Sequence, residues 1–225
     1  MNKMNSNYNV TSRDTLGDTV ARLPKAAEVF KSYKIDFCCG GQRSIGEAAK
    51  EKEVDEQKLL GVLNALKDQI DERQSSDFTQ MENEELIDHI IDTHHAYLNV
   101  NLPEISILAG AVLRAHGSSH KELFEVHKLF HALKAELEQH LIKEETVLFP
   151  NMLDKENDVD VQAEIEQEHE GAGEILRQLR ELTQDYSVPG DGCPTYDRLY
   201  NKLEELEGDI FQHVHLENNI LFKRF

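Results

Sequence analysis

The chain has 225 residues, enough for one large or two modest domains, and its 39 % hydrophobic content can build a sizeable core without any Trp. Against 24 Lys and Arg it carries 43 Asp and Glu, a net charge of −19 that repels phosphate backbones and anionic lipid, so nucleic acid and membrane surfaces are excluded as partners. With no apolar leader, no run expected to cross a bilayer and only three cysteines, the chain is expected to be cytoplasmic and free of a disulfide framework.

Residues 1–11 are polar and predict no fixed structure. A small helical domain is expected over 12–73. In it Leu16, Val20 and Leu23 form one apolar stripe, Pro24 opens a short helix through Val29 and Phe30, and Ser44 with Glu47 makes a capping box. The helix that follows carries Leu59, Leu60, Leu63, Leu66 and Ile70. Between the helices lies Asp36-Phe-Cys-Cys-Gly-Gly41, where Cys38 and Cys39 read either as small buried apolar residues or as thiols for exchange, metal hand-off or dimer contact. The polar stretch Gln74 to Gln80 reads as a linker.

A four-helix bundle with up-down-up-down connections is expected over 79–225. Its first helix starts at a Thr79/Glu82 capping box and runs to Arg114, kinked at Pro103; its second is capped by Ser119 with Glu122 and ends near Phe149. The third covers Val159 to Gln184. Ser187-Val-Pro-Gly-Asp-Gly-Cys-Pro194 is a loop, and the fourth helix runs from Thr195 to Phe222. No strand is expected, so the fold class is all-α.

Within the bundle one phrase is written twice. His140xxxGlu144xxxLeu-Phe recurs as His213xxxGlu217xxxLeu-Phe, and a solitary histidine precedes each, His95 by 45 residues and His169 by 44. Positions i and i+4 share a helix face, so each phrase aims an imidazole and a carboxylate the same way. The hydrophobic register places all six on core stripes: Ile91, His95, Leu98, Leu102; Leu137, His140, Glu144, Val147; Ile165, His169, Ala172, Leu176; and Ile210, His213, Glu217, Ile220. Four imidazoles and two carboxylates in an apolar seam cost several kcal/mol per charge unless cations satisfy them together, which is the donor inventory of a metal pair in a bundle.

The remaining histidines fall off the stripes. His127 and His131 form an HxxxH pair on an outer face, His89 and His215 take outer positions, and His116 and His120 flank a turn; His94 is placed for a supporting hydrogen bond. By register Glu145 and Glu168 point away from the seam, while Tyr97, Tyr186 and Tyr196 are candidates to line a pocket.

On Asp36-Phe-Cys-Cys-Gly-Gly41 and the two HxxxE phrases, above all His213-Val-His-Leu-Glu-Asn-Asn-Ile-Leu-Phe222, the chain resembles the repair-of-iron-centres family, di-iron proteins of the hemerythrin-like superfamily with an amino-terminal ScdA-type domain. The resemblance covers nearly the whole chain. It implies two non-haem iron ions per chain, oxo- or hydroxo-bridged, on His95, His140, Glu144, His169, His213 and Glu217. It also implies a cytoplasmic homodimer of the oxidative and nitrosative stress response that restores damaged iron-sulfur proteins, with nitric oxide or dioxygen as small ligands. Oxygen-carrying hemerythrins place an HxxxH pair on the third helix; here Ile165 and Gly173 flank His169, so one nitrogen donor is missing. Beside iron donation, two other readings stay open: a hemerythrin-like oxygen or nitric oxide sensor, and an enzyme such as a nitric oxide reductase.

Overall fold

The computed structural model describes residues 9–66, 78–154 and 159–225; Ile70 and most of the expected linker lie outside them. Among the described residues the chain is helical, with no strand beyond an isolated bridge between Thr15 and Ser44. Contacts divide it into two compact units, residues 1–82 with 214–224, and residues 83–213 with Phe225.

The first unit holds four helices: α1 (Leu16–Arg22), α2 (Ala26–Ser32), α3 (Ile45–Glu51) and α4 (Glu56–Leu66). Thr15 caps α1 by accepting from the Asp18 N–H at 3.1 Å, and α3 opens on the expected Ser44/Glu47 box. Leu16, Val20, Phe30, Ile45, Leu59 and Leu63 make its core. The segment 214–224 completes it. The Asn219 side chain lies over Gly17 and Gly41, and a Cβ on either glycine would stand 2.3 Å from Asn219 Oδ1. Both positions therefore require a residue without a side chain.

The second unit is built on four long helical runs. Helix α5 spans Asn83–His116, and α6 covers Glu122–Lys143 and continues through Glu144–Leu148 to Phe149–Leu153. Helix α7 is Val159–Leu182, and α8 is Pro194–Leu216, continued by Glu217–Leu221. Helix α6 packs against both α5 and α7. Two expected starts move: α5 begins at Asn83 rather than after Thr79, and α6 begins at Glu122 without a side-chain cap, because Glu122 instead accepts from His120 at 3.2 Å.

Three of the four runs contain a π-turn, at Ile91–His95, Glu144–Leu148 and Glu217–Leu221. A π-turn holds about one residue more than an α-turn, so the apolar register slips there. Ile90 is fully buried where Ile91 was expected, and Leu148 is buried while Val147 is exposed. Contrary to the sequence expectation, α5 is by length and composition apolar enough to cross a membrane. Its apolar residues are interrupted by Asn99, Asn101, the pair Pro103-Glu104 and Ser106, and the helix carries the buried polar residues His94, His95 and Asn101.

Candidate metal centre

Each π-turn sits on a candidate ligand. His95 closes the first, Glu144 opens the second and Glu217 opens the third. The structure brings all six candidates together, each at most 4 % exposed. They form two sets, His95, Glu144, His213 and Glu217, and His140, Glu144, His169 and Glu217; within each set the ligand atoms lie within 4.8 Å of one another. Both carboxylates belong to both sets.

The histidines are paired by helix. His95 Nε2 stands 3.2 Å from His213 Nε2, and His140 Nε2 stands 3.2 Å from His169 Nε2. Two nitrogens about 2.1 Å from one ion and at right angles are ~3 Å apart, so each pair is spaced to hold one metal in cis positions. Glu144 lies between the pairs with its oxygens divided. Oε1 is 3.1 Å from His140 Nε2 and 4.0 Å from His169 Nε2, while Oε2 is 3.3 Å from His95 Nε2 and 3.8 Å from His213 Nε2. Glu144 thus presents one oxygen to each imidazole pair. Buried Glu144 and Glu217 among four imidazoles need positive charge, and two divalent ions supply it; the donor set fits a metal pair.

A second ring of carboxylates orients the imidazoles. Glu145 Oε1 lies 2.8 Å from His95 Nδ1, and Glu168 Oε2 lies 2.8 Å from His140 Nδ1. Each contact places the proton on Nδ1 and makes Nε2 the atom that would meet a metal. Glu168 is itself clamped by Lys143, which also reaches Glu164 at 2.8 Å. Burial acts to raise the Glu168 pKa, but hydrogen bonds from Lys143 and His140 hold it below the usual carboxylate value. Both residues were expected to point elsewhere. Glu145 stands inside a π-turn, where the α-helical register no longer applies, and Glu168 reaches its target across to a neighbouring helix.

His94 stacks parallel on His213 at 5.6 Å between ring centroids, and its Nδ1 contacts Asp209 Oδ1 at 2.9 Å. His215, expected on an outer face, is buried edge-on to Phe37 at 5.9 Å, and burial pulls its pKa down to about 3. Phe37 stands against the side chain that sequence register assigned to solvent. Tyr196 and Tyr200 are core residues with their hydroxyls 3.1 Å apart, and Tyr186 is buried against Glu207. His127 and His131 remain half-buried on their own, 3.1 Å apart.

Comparison with known proteins matches residues 86–225 to the hemerythrin HHE cation binding domain and residues 12–67 to ScdA_N, a domain of unknown function. The iron-sulfur cluster repair protein ScdA of Staphylococcus epidermidis is 32 % identical over 222 residues, covering 96 % of this chain and 99 % of that one. ScdA of Staphylococcus haemolyticus is 31 % identical with the same coverage. The iron-sulfur cluster repair protein YtfE of Escherichia coli O157:H7 is 34 % identical over 212 residues, 93 % of this chain and 94 % of that one.

Proposed function

Because this chain belongs to the family of iron-sulfur cluster repair proteins with a hemerythrin HHE domain, we propose that it repairs iron-sulfur clusters damaged by oxidative and nitrosative stress, using two iron ions held in the bundle. The observation that carries this reading is the pair of donor sets sharing Glu144 and Glu217. In it His95 and His213 would hold one iron and His140 and His169 the other, with the two glutamates shared between them. When bound, the irons supply a redox-active pair able to take nitric oxide or dioxygen, or to be given up to a damaged cluster. The protein's own part is to hold the imidazoles by Glu145 and Glu168 and to leave coordination open. Ile165, fully buried one turn before His169, supplies no nitrogen donor at that position. An open shell suits release better than storage. The relatives do not favour a sensor module.

The matched segments 12–67 and 86–225 support a division into an amino-terminal domain over 12–73 and a bundle over 79–225. The three free cysteines support a cytoplasmic setting. Val100 and Ile107, two turns apart on α5 and 69 % and 72 % exposed, offer an apolar patch for a homodimer. Light scattering of Val100→Glu, Ile107→Glu should show a monomer where the wild type shows a dimer.

The test of function is reactivation of a nitric-oxide-treated iron-sulfur hydratase by the iron-loaded protein. Wild type should restore activity, and Glu144→Ala, Glu217→Ala should fall well below two irons per chain and fail. A double variant that keeps two irons would refute the bridging assignment; one that loses iron yet repairs normally would refute the bundle as the working site.

A further inference from the structure

A second group of metal-ligating atoms lies in the first unit, apart from the six residues above. Asp36, Cys38 and Cys39 each present one ligand atom, and these lie within 4.8 Å of one another. We propose that this turn is a separate metal site that takes one thiophilic divalent ion, ferrous iron or zinc, through Cys38 Sγ, Cys39 Sγ and an Asp36 carboxylate oxygen.

The spacing is that of a coordination corner. Two sulfurs ~2.3 Å from a tetrahedral ion stand about 3.8 Å apart, and Cys38 Sγ and Cys39 Sγ stand 3.9 Å apart. Asp36 Oδ1 lies 3.2 Å from Cys38 Sγ, so the thiol proton occupies the place between sulfur and carboxylate that an ion takes over. All three cysteines of the chain are free, and a disulfide between adjacent residues would be strained, so the pair remains available as thiols.

The turn is also held in shape before any ion arrives. Asp36 Oδ1 accepts from the Cys38 N–H and Oδ2 from the Gly40 N–H, both at 3.0 Å. Arg43 donates to the carbonyls of Asp36 at 3.0 Å and Gly40 at 3.3 Å, and Asn219 Nδ2 donates to the Cys38 carbonyl at 3.0 Å. Donors fixed by their surroundings lose little freedom on binding. Without an ion, the Cys39 contact, burial and the Asp36 charge all push the Cys38 thiol well up, and a cation reverses that preference. Binding therefore exchanges one divalent ion for two thiol protons, leaving the ion with two thiolates and one carboxylate. Cys38 is buried and Cys39 half-exposed, so solvent or a client ligand reaches the fourth position from the Cys39 side. Use of the site as a resting place for iron passing to a damaged cluster rests on the proposed function; the site itself does not.

The experiment uses the full chain with its bundle iron in place and Cys193→Ser to remove the other thiol. Titration with Co2+ should give one further equivalent with thiolate-to-cobalt absorption and about two protons released, and either Fe2+ or Zn2+ should displace it. Cys39→Ser should abolish that absorption, and Asp36→Asn should weaken binding at least ~10-fold, with both bundle irons and the circular dichroism unchanged. No thiolate absorption, displacement by neither ion, or a further equivalent that survives Cys39→Ser would each overturn the site, the last pointing to the His127 and His131 pair instead.

Discussion

The two orienting carboxylates provide a test of whether the centre is two ions with separate supports. Glu168→Ala removes a 2.8 Å charge-assisted contact to His140 Nδ1 from a carboxylate that is 33 % exposed and held by Lys143. Hydrogen bonds of this type contribute about 1.5–3 kcal/mol net, and loss of an orienting partner lowers metal affinity by roughly 10–100-fold, which is ~1.4–2.7 kcal/mol. The two figures agree. Because His140 pairs with His169 and not with His95, the loss should fall on one ion of the two. Iron extraction by a ferrous chelator should become biphasic, with half the iron leaving about 10–100-fold more readily and the rest changed less than about threefold. Glu145→Ala should affect the other half, at the lower end of the range because Glu145 is 41 % exposed. Equal weakening of both ions in either variant would refute the paired assignment.

Other outcomes follow from single contacts. Cys193, with His116 Nε2 at 3.2 Å and the N–H groups at the start of α8 beside it, has its thiol held down to about 7 by the His116 contact. Its alkylation by iodoacetamide should reach half its maximal rate near pH 7, moving toward ~8.5 in His116→Ala; a wild-type midpoint already at ~8.5 would contradict the pairing. Glu207 is 1 % exposed and receives both Arg180, with Nε at 2.9 Å, and the Tyr186 hydroxyl at 3.4 Å. Glu207→Ala leaves Arg180 only its contact with Asp185 at 3.2 Å and should cost about 1.5–3 kcal/mol in urea unfolding, and a loss below ~0.5 kcal/mol would show the pair to be solvated. Gly41→Ala should cost about 1–3 kcal/mol by driving a methyl into Asn219, and much of that loss should disappear in an Asn219→Ala background; equal losses in both backgrounds would remove Asn219 as the cause.

The convergence of His95, His140, Glu144, His169, His213 and Glu217 was legible because HxxxE phrases impose an angular relation that any helix keeps and because the phrase is duplicated. The displaced neighbours were not. Val147, Ile91 and Glu145 were placed by an unbroken 3.6-residue period, and π-turns at the candidate ligands break that period: no Gly or Pro marks the break at Ile91–His95, and at Glu144–Leu148 the only mark is Pro150, two residues beyond it. His215 was misplaced for a different reason. A periodic pattern tells which side of a helix is apolar, but not that a polar side will be covered by residues more than 170 positions earlier, as Phe37 covers His215. Tyr196 and Tyr200 satisfy each other's hydroxyls, a pairing at i and i+4 that was readable but was not used.

The membership of residues 214–224 in the first unit has a consequence for the order in which the chain can fold on the ribosome. Residues 1–82 emerge first, yet the segment that fills the slot over Gly17 and Gly41 is synthesised ~130 residues later, a wait of roughly 7–25 s at ordinary elongation rates. During that interval the slot and the Phe37 face that will receive His215 are open to chaperones and to solvent. Glu217 travels in the same late segment, so the nascent chain meets intracellular metal with its histidines His95, His140 and His169 already made and one of its two shared carboxylates still missing. Completion of the metal centre is thereby deferred until translation has passed the last helix.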